Sequence, residues 1–465
     1  MFMKVQNNAL TRKIYDADKI DWNHLQFSSL ELRKLLVPLI IEQLLTSFMG
    51  MADTMMVSRI GSAAISAVSL TDSINVLVIQ IFEALAAGGT IVCSQYIGHK
   101  DLKRSNFAAS QLTITVCFLS VALSVICVLW RRPILSLVFG SVEPDVMHNA
   151  IVYFLFSGAS FPFLALFQAG ASFYRAGGNS RFPMIISVLS NLMNIAGNAL
   201  FIFVFKWGVA GAALSTLLSR IFCAVVIFGF LRLPRQAIVI RRYLVRPDFR
   251  MIKRILSIGI PSGIENGMFQ FGKLAIQSSV STLGTISIAA NAMTIILENL
   301  NGIGGIGIGI GLMTVVGQTI GAGKPDEAKF YIARVTWYAE LVILGSCLLV
   351  FVLTKPVTAL AGMDPTAADM CFQMVVFITV LKPIVWVFSF IPAYGMRAAG
   401  DVKFSMIASS LTMWLCRVLL TTLLIRVFHF GPIAVWIGMA SDWTCRGIVF
   451  TIRFFSGKWL KHYVI

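Results

Sequence analysis

Charge is what this chain has least of. Only 13% of its 465 residues are Asp, Glu, Lys or Arg, and just 21 are acids. Histidine is scarcer still, with five residues that lie in the tails or near the ends of apolar runs. That disfavours a histidine-based metal or proton site within those runs. Eight cysteines are scattered without paired spacing, which suggests neither a disulfide framework nor a zinc site. No apolar run gathers a His/Asp cluster or sets a nucleophile beside a base, so the chain does not read as an enzyme. Residues 1–27 lack a short apolar core followed by a small-residue cleavage site, so they are not read as a secretory signal. They are expected to be a plain solvated tail rather than a regulatory one.

What is present is apolar surface, at 57% of residues. About 20 such residues in a row suffice to cross a bilayer. Twelve runs qualify: about 33–58, 65–97, 105–130, 147–172, 183–205, 208–231, 253–282, 287–320, 330–353, 370–395, 404–427 and 432–455. In hydrocarbon every backbone polar group must be paired internally, so the runs are helices or barrel strands. Their length and uniform apolarity select helices. Phe27, Ser28 and Glu31 read as staple, N-cap and capping-box partner ahead of the first span.

The net charge is +17, but no contiguous basic patch exists to bind nucleic acid. Alternating the spans from a cytoplasmic start puts 28 basic residues inside and 6 outside. This asymmetry fits the positive-inside rule and predicts that both termini are cytoplasmic. Eight of the inside residues fall in 232–254, where cytoplasmic retention and contact with anionic headgroups account for them.

Pro38 to Gly98 recurs without a gap as Pro261 to Gly321. Pro38, Glu42, Gly61, Gln95 and Gly98 match Pro261, Glu265, Gly284, Gln318 and Gly321. Six spans return a chain to its starting side, so the halves are related as a parallel repeat. The expected division is a cytoplasmic tail at 1–27, an N-lobe at 28–231, a basic cytoplasmic linker at 232–252 and a C-lobe at 253–465. The fold class is therefore all-α transmembrane, twelve helices in two six-helix lobes. Arg175-Ala-Gly-Gly-Asn and Arg397-Ala-Ala-Gly-Asp read as tight turns in which Gly supplies backbone freedom. Gly302, Gly304 and Gly307 fit G-x-G-x-x-G, but inside an apolar span they indicate close helix packing or local flexibility rather than dinucleotide binding.

Ionisable residues inside spans cost about 2.5–3.5 kcal/mol each at the bilayer centre on insertion scales. Here they are Glu42, Asp53, Asp72, Glu83, Glu265, Glu298, Glu340, Asp442, Arg220, Lys273, Lys382 and Arg417, some of them structural pairs. Glu42 and Asp53 are eleven residues apart, close to three helical turns and roughly 16 Å on one face. That face must look into protein or water. On the fifth span Ser187, Asn191, Asn194 and Asn198 form one stripe. It serves either interhelical hydrogen bonding or, with a carboxylate and with Ser215 and Thr216 of the sixth span, coordination of a small cation. Oxygen ligands suit Na⁺, and a desolvated carboxylate suits H⁺.

These residues resemble the multidrug and toxic compound extrusion (MATE) family over about 28–455. Gly50-Met-Ala-Asp-Thr-Met-Met-Val, fifteen residues beyond Pro38 at its Asp, is similar to the family's first-helix pattern. Gln95-Tyr-Ile-Gly-His and Gln318-Thr-Ile-Gly-Ala resemble its Q-x-x-G elements. Phe173-Tyr-Arg-Ala-Gly-Gly-Asn resembles its fourth-span exit, and Asn194-Ile-Ala-Gly-Asn-Ala-Leu-Phe its fifth-helix pattern. The resemblance implies a V-shaped multi-pass exporter of the plasma (inner) membrane, a monomer that exchanges cationic or amphipathic drugs for Na⁺ or H⁺. No other cofactor and no metal centre are implied. By the same resemblance Asp53 is the N-lobe cation carboxylate, with Asn194, Asn198 and Thr216 as partners, and Pro38 is the proline associated with bending. Glu42, Glu265 and Glu298 are candidates for attracting a cationic substrate. Some branches carry a carboxylate where this chain has Asn198, and NorM-type members carry C-lobe carboxylates where it has Phe269 and Trp386. The rival is a flippase of a lipid-linked saccharide, or an exporter of a natural metabolite, from the same superfamily. An arginine-rich cavity would favour the flippase.

Overall fold

The computed structural model describes residues 14–140, 142–234, 236–242, 245–462 and 464–465. Among them there are helices and no strands. The spanning helices are α1 (Ser29–Ser58), α2 (Ser62–Gly98), α3 (Leu102–Leu129), α4 (Pro144–Ala176), α5 (Arg181–Asn198), α6 (Gly208–Phe230), α7 (Phe249–Val280), α8 (Thr285–Gly321), α9 (Pro325–Leu360), α10 (Pro365–Ala398), α11 (Val402–Thr412) and α12 (Ile433–Phe455). A short helix, Arg131–Phe139, follows α3. Two spans change pitch along their length, one near its end and one at its middle. α5 runs on as a π-helical segment, Ala199–Val204. α11 passes through another, Met413–Leu419, before finishing as Leu420–Arg426.

Ten of these helices are long and apolar enough to cross a membrane. α7 and α12 stand outside that group. α7 carries Glu265, Asn266, Gln270 and Lys273, and α12 carries Asp442 and Arg446, so their polar side chains must be satisfied by protein or water. The chain is a multi-pass membrane protein.

The chain divides into two compact units, one of Leu44–Gly263 and one that joins the residues up to Gln43 with Ile264–Ile465. Their boundaries fall inside α1 and α7 and so differ from the repeat halves, 28–231 and 253–465. In the first unit α4 packs on α2, α3 and α6, and α5 packs on α6. In the second unit α10 packs in the same way on α8, α9 and α12, and the π segment of α11 packs on α12. The duplication in sequence is thus a duplication in packing.

Local signals act as the sequence suggests. Glu31 Oε2 accepts from the Ser28 backbone N–H at 2.8 Å and from its hydroxyl at 2.7 Å, and Ser28 Oγ accepts from the Glu31 N–H at 3.3 Å. This is the expected capping box, and Phe27 is buried beside it with Leu32. The two Arg/Gly turns close with Gly178 N–H to Arg175 O at 2.8 Å and Gly400 N–H to Arg397 O at 2.9 Å. Their glycines have φ of 84° and 105°, a region that favours Gly. The glycine run of α8 is a packing surface. A Cβ at Gly307 would lie 3.0 Å from the backbone of Leu39 and Ile40, and one at Gly305 would lie 2.5 Å from the Trp386 ring.

The segment expected to be a solvated tail is instead docked from Tyr15 onward; residues 1–13 lie outside the described residues. Tyr15, Ile20 and Phe27 are buried against Phe330 and Tyr331 of α9. Tyr331 Oη accepts from the Phe27 N–H at 2.9 Å and donates to its carbonyl at 2.8 Å. Glu327 accepts from the Gln26 N–H at 2.6 Å. The polar composition concealed a few aromatic residues spaced to fill one groove. The linker is packed too. In the first unit Ile238 and Ile240 are buried, and Gln111 bridges the Arg246 carbonyl and the Asp248 N–H at 2.9 Å each.

Tyr331→Phe leaves both backbone groups of Phe27 without their partner, a cost of about 1–3 kcal/mol. The expected result is a lower Tm for the purified protein and faster tryptic cleavage at the exposed Lys19. Cleavage at the wild-type rate would show that the hydroxyl does not hold the segment.

Candidate functional site

The first unit brings together four residues singled out by sequence. Asn198, the last residue of α5 before the π-helical segment, is fully buried and donates its amide N–H to Asp53 Oδ1 on α1. The same amide donates to Asn194 Oδ1 at 3.3 Å. Asn194 in turn donates to Thr216 Oγ1 at 3.2 Å and to Ser219 Oγ at 3.5 Å on α6. Ser215 donates to the Asn194 carbonyl at 2.8 Å. Asp53, Asn198, Asn194 and Thr216 therefore form one chain of hydrogen bonds across three helices.

Close approach of α5 and α6 makes this possible. Gly197 faces Ser215 so tightly that a Cβ there would lie 2.4 Å from the Ser215 hydroxyl. The Asn stripe supplies interhelical bonding and a partner for the carboxylate at once. Its other half does not join in: Asn191 Nδ2 is buried without a hydrogen-bond partner.

The donor set suits a small hard cation, with a carboxylate, amide oxygens and a hydroxyl. One observation fits that reading in particular. Asn198 Oδ1 is buried beside Asp53 and has no hydrogen-bond partner. An unpaired buried acceptor is costly unless something else uses it.

Around this chain lie groups whose roles the sequence did not give. Asp72 on α2 accepts from Asn75 Nδ2 at 3.0 Å. Arg220 on α6 donates to Ser160 Oγ at 2.6 Å and lies within electrostatic reach of both Asp53 and Asp72. The buried Tyr153 of α4 stands beside the same two acids. Asp72 and Arg220 were visible as charges inside spans, but nothing linear pairs α2 with α6. Tyr153 carried no signal at all.

The remaining candidates lie in the second unit. Glu265 pairs with Arg397 at 3.4 Å, and Glu298 pairs with Lys382 at 2.6 Å. Both carboxylates already have a cation beside them, which leaves little free negative charge to draw a cationic substrate. Glu42 is buried on α1, and Pro38, also buried, sits within that continuous helix. All four belong to the second unit, whereas the Asp53 network belongs to the first. Phe269 and Trp386, the positions at which the family resemblance implied acids in NorM-type members, face cations: Arg446 lies 4.7 Å from the Phe269 ring centroid and Lys382 lies 5.2 Å from that of Trp386.

The MatE family model matches residues 38–200 and 261–423, one copy per repeat and together well over half of the chain. The chain belongs to the MatE family. It is 28% identical to the probable multidrug resistance protein NorM of Thermotoga maritima, over 94% of each chain. It is 25% identical to the uncharacterized transporter YisQ of Bacillus subtilis, over 91% of this chain and 93% of that one. Among solved structures, the outward-facing conformation of a multidrug resistance MATE family transporter of the MOP superfamily aligns with a TM-score of 0.86. It is 19% identical and covers 92% of this chain and 96% of its own.

Gly197→Ala tests the geometry of the site. The added methyl must push Ser215 aside and part Thr216 from Asn194. Expected is an efflux rate reduced about tenfold at a Tm cost consistent with ~1–3 kcal/mol of overpacking. Unchanged efflux would show that the α5–α6 spacing is not used.

Proposed function

We propose that this MatE-family chain is a secondary active multidrug efflux antiporter of the plasma (inner) membrane, with both termini cytoplasmic. It exports amphipathic small molecules, cationic ones among them, in exchange for H⁺ or Na⁺. The reading draws support from the names of its relatives, NorM among them, and from the basic residues gathered on one side of the spans. One observation carries it: a carboxylate inside a spanning helix, Asp53, held by the buried amide of Asn198.

The direction of that hydrogen bond suggests how coupling works. Asn198 presents its N–H to Asp53, which suits an ionised carboxylate. A proton on Asp53, or a Na⁺ beside it, calls for an acceptor instead. Turning the amide by half a rotation supplies Oδ1, the atom now without a partner. The turn breaks the bond to Asn194 Oδ1 and re-sorts the donors running to Thr216 and Ser219. Cation uptake on α1 is thereby reported to α5 and α6. H⁺ and Na⁺ demand the same reversal, so both serve this site. A charge that crosses the membrane releases about 2.3 kcal/mol per 100 mV, enough for one cation to sustain a substantial drug gradient.

The test is efflux from proteoliposomes with Na⁺ and pH gradients imposed separately. Asp53→Asn is expected to abolish gradient-driven efflux, and Asn198→Leu to reduce it strongly. Wild-type efflux by Asp53→Asn would end the proposal.

A further inference from the structure

The second unit holds a cluster of charge that the coupling scheme does not use. Lys382 of α10 bonds Glu298 Oε1 at 2.6 Å and the Glu298 carbonyl at 3.2 Å, and also bonds Asn301. Gly302 leaves room for it, since a Cβ there would lie 3.2 Å from Nζ. On α12 one terminal nitrogen of Arg446 bonds both oxygens of Asp442 at 2.7 Å. The two carboxylates of the cluster are thus each engaged by one cation.

Two cations remain. Arg417 lies in the π-helical segment of α11, nine-tenths buried, and its Nε has no hydrogen-bond partner. It sits in the field of Glu298, Asp442 and Arg446, yet it forms no ion pair among the described residues. Lys273 of α7 feels Arg417 and Glu298 and likewise forms no ion pair among the described residues. Lys273 is exposed on its spanning helix, a place where an ammonium favours a wet cavity over lipid. Glu340, a further acid on this unit's spans, is not among the groups that Arg417 or Lys273 feels. A buried guanidinium with an idle N–H is a strong demand for an anion.

Aromatic rings border the same cluster. Trp386 and Phe390 stack at 4.7 Å, with Lys382 over Trp386 and Arg446 over Phe390. The ring centroid of Trp443, on α12, lies 5.8 Å from Lys382 Nζ. Flat apolar walls lie on the paired cations of the cluster, and two further positive charges lie in its field; together they describe the complement of an aromatic or amphipathic anion.

We infer that this cluster is a binding site for the anionic group, a carboxylate, sulfonate or phosphate, of an amphipathic substrate, with Arg417 and Lys273 as its counter-charges. The site deepens the efflux reading by naming one class of cargo. It rests on that reading only for what happens after binding.

The probes are two xanthene dyes of similar skeleton and opposite charge, fluorescein and rhodamine 123. Their binding to the purified full-length protein is followed by fluorescence anisotropy. Wild type is expected to bind fluorescein, and Lys273→Gln and Arg417→Gln each to weaken it at least tenfold, with rhodamine 123 binding unchanged or tightened. Arg417→Lys, which keeps the charge, is expected to lose less than threefold. No fluorescein binding by wild type, equal fluorescein affinity in both charge-removing variants, or equal loss of both dyes would overturn the site. If Arg417→Gln does not survive purification, Lys273→Gln, at an exposed position, carries the test. Displacement of fluorescein by dioctanoyl phosphatidylglycerol assigns a lipid headgroup as occupant, and its absence assigns a soluble anion; both require the cationic pair. Asp53→Asn is expected to bind fluorescein as wild type does while failing to transport it, so failure of the coupling scheme and failure of this site give different readouts.

Discussion

Everything in the first unit's site follows from one electrostatic fact: a carboxylate inside a spanning helix needs donors supplied by the protein. Asp53 meets that need through Asn198, and Asn198 can reach it only because α5 keeps its side chain buried and aimed at α1. Asn194, Thr216 and Ser219 satisfy the polar groups this leaves behind, with the amides of α5 donating both to α1 and to α6. Gly197 is the steric condition for the whole arrangement, because any larger side chain would hold α6 away. A single charge on α1 thus dictates a glycine and two amides on α5 and three hydroxyls on α6. Such a network is stable only when nearly complete, which makes it sensitive to one proton or one ion.

Much of the fold was legible because its signals are local or repeated. Apolar runs set the spans, Ser28 and Glu31 fixed a helix start, and the offset between Pro38 and Pro261 gave the duplication. The Asn stripe was visible through its period, although a period does not say which helix the stripe faces. Three things were not legible. The docking of Tyr15 and Phe27 depends on a groove made by residues some 300 positions away, and a polar segment gives no hint of it. The partnership of Arg220 with Asp53 and Asp72 joins three helices that no spacing rule connects. The pitch changes at Ala199–Val204 and Met413–Leu419 have no sequence signature, since π turns arise from what a helix must present to its neighbours rather than from propensity.

The two repeats share a packing scheme but have diverged in charge. Asn75 on α2 occupies the position in its repeat that Glu298 occupies on α8, by the same offset that relates Pro38 to Pro261. Ser160 stands in the same relation to Lys382 by the offset that joins the two Arg/Gly turns. The first unit keeps a neutral amide and a hydroxyl at these points and brings Arg220 to the serine. The second places an ion pair there. Duplication supplied two equal frames, and substitution at matching positions gave them different electrostatic characters: one with two acids, Asp53 and Asp72, beside Arg220, the other with a cluster in which cations outnumber acids.

The π-helical segment that follows Asn198 carries one meaning more. A π turn holds one residue beyond the α-helical count, and each residue of an α-helix turns the chain by about 100°. If Ala199–Val204 were drawn back into α-helical pitch, everything on the N-terminal side would have to rotate by that angle or be carried along the axis. Asn198 would swing off Asp53 without any bond in α1 being touched. The extra residue therefore acts as a winding stop, setting the azimuth at which the amide meets the acid. A one-residue deletion there would leave a sound helix whose key no longer faces its lock.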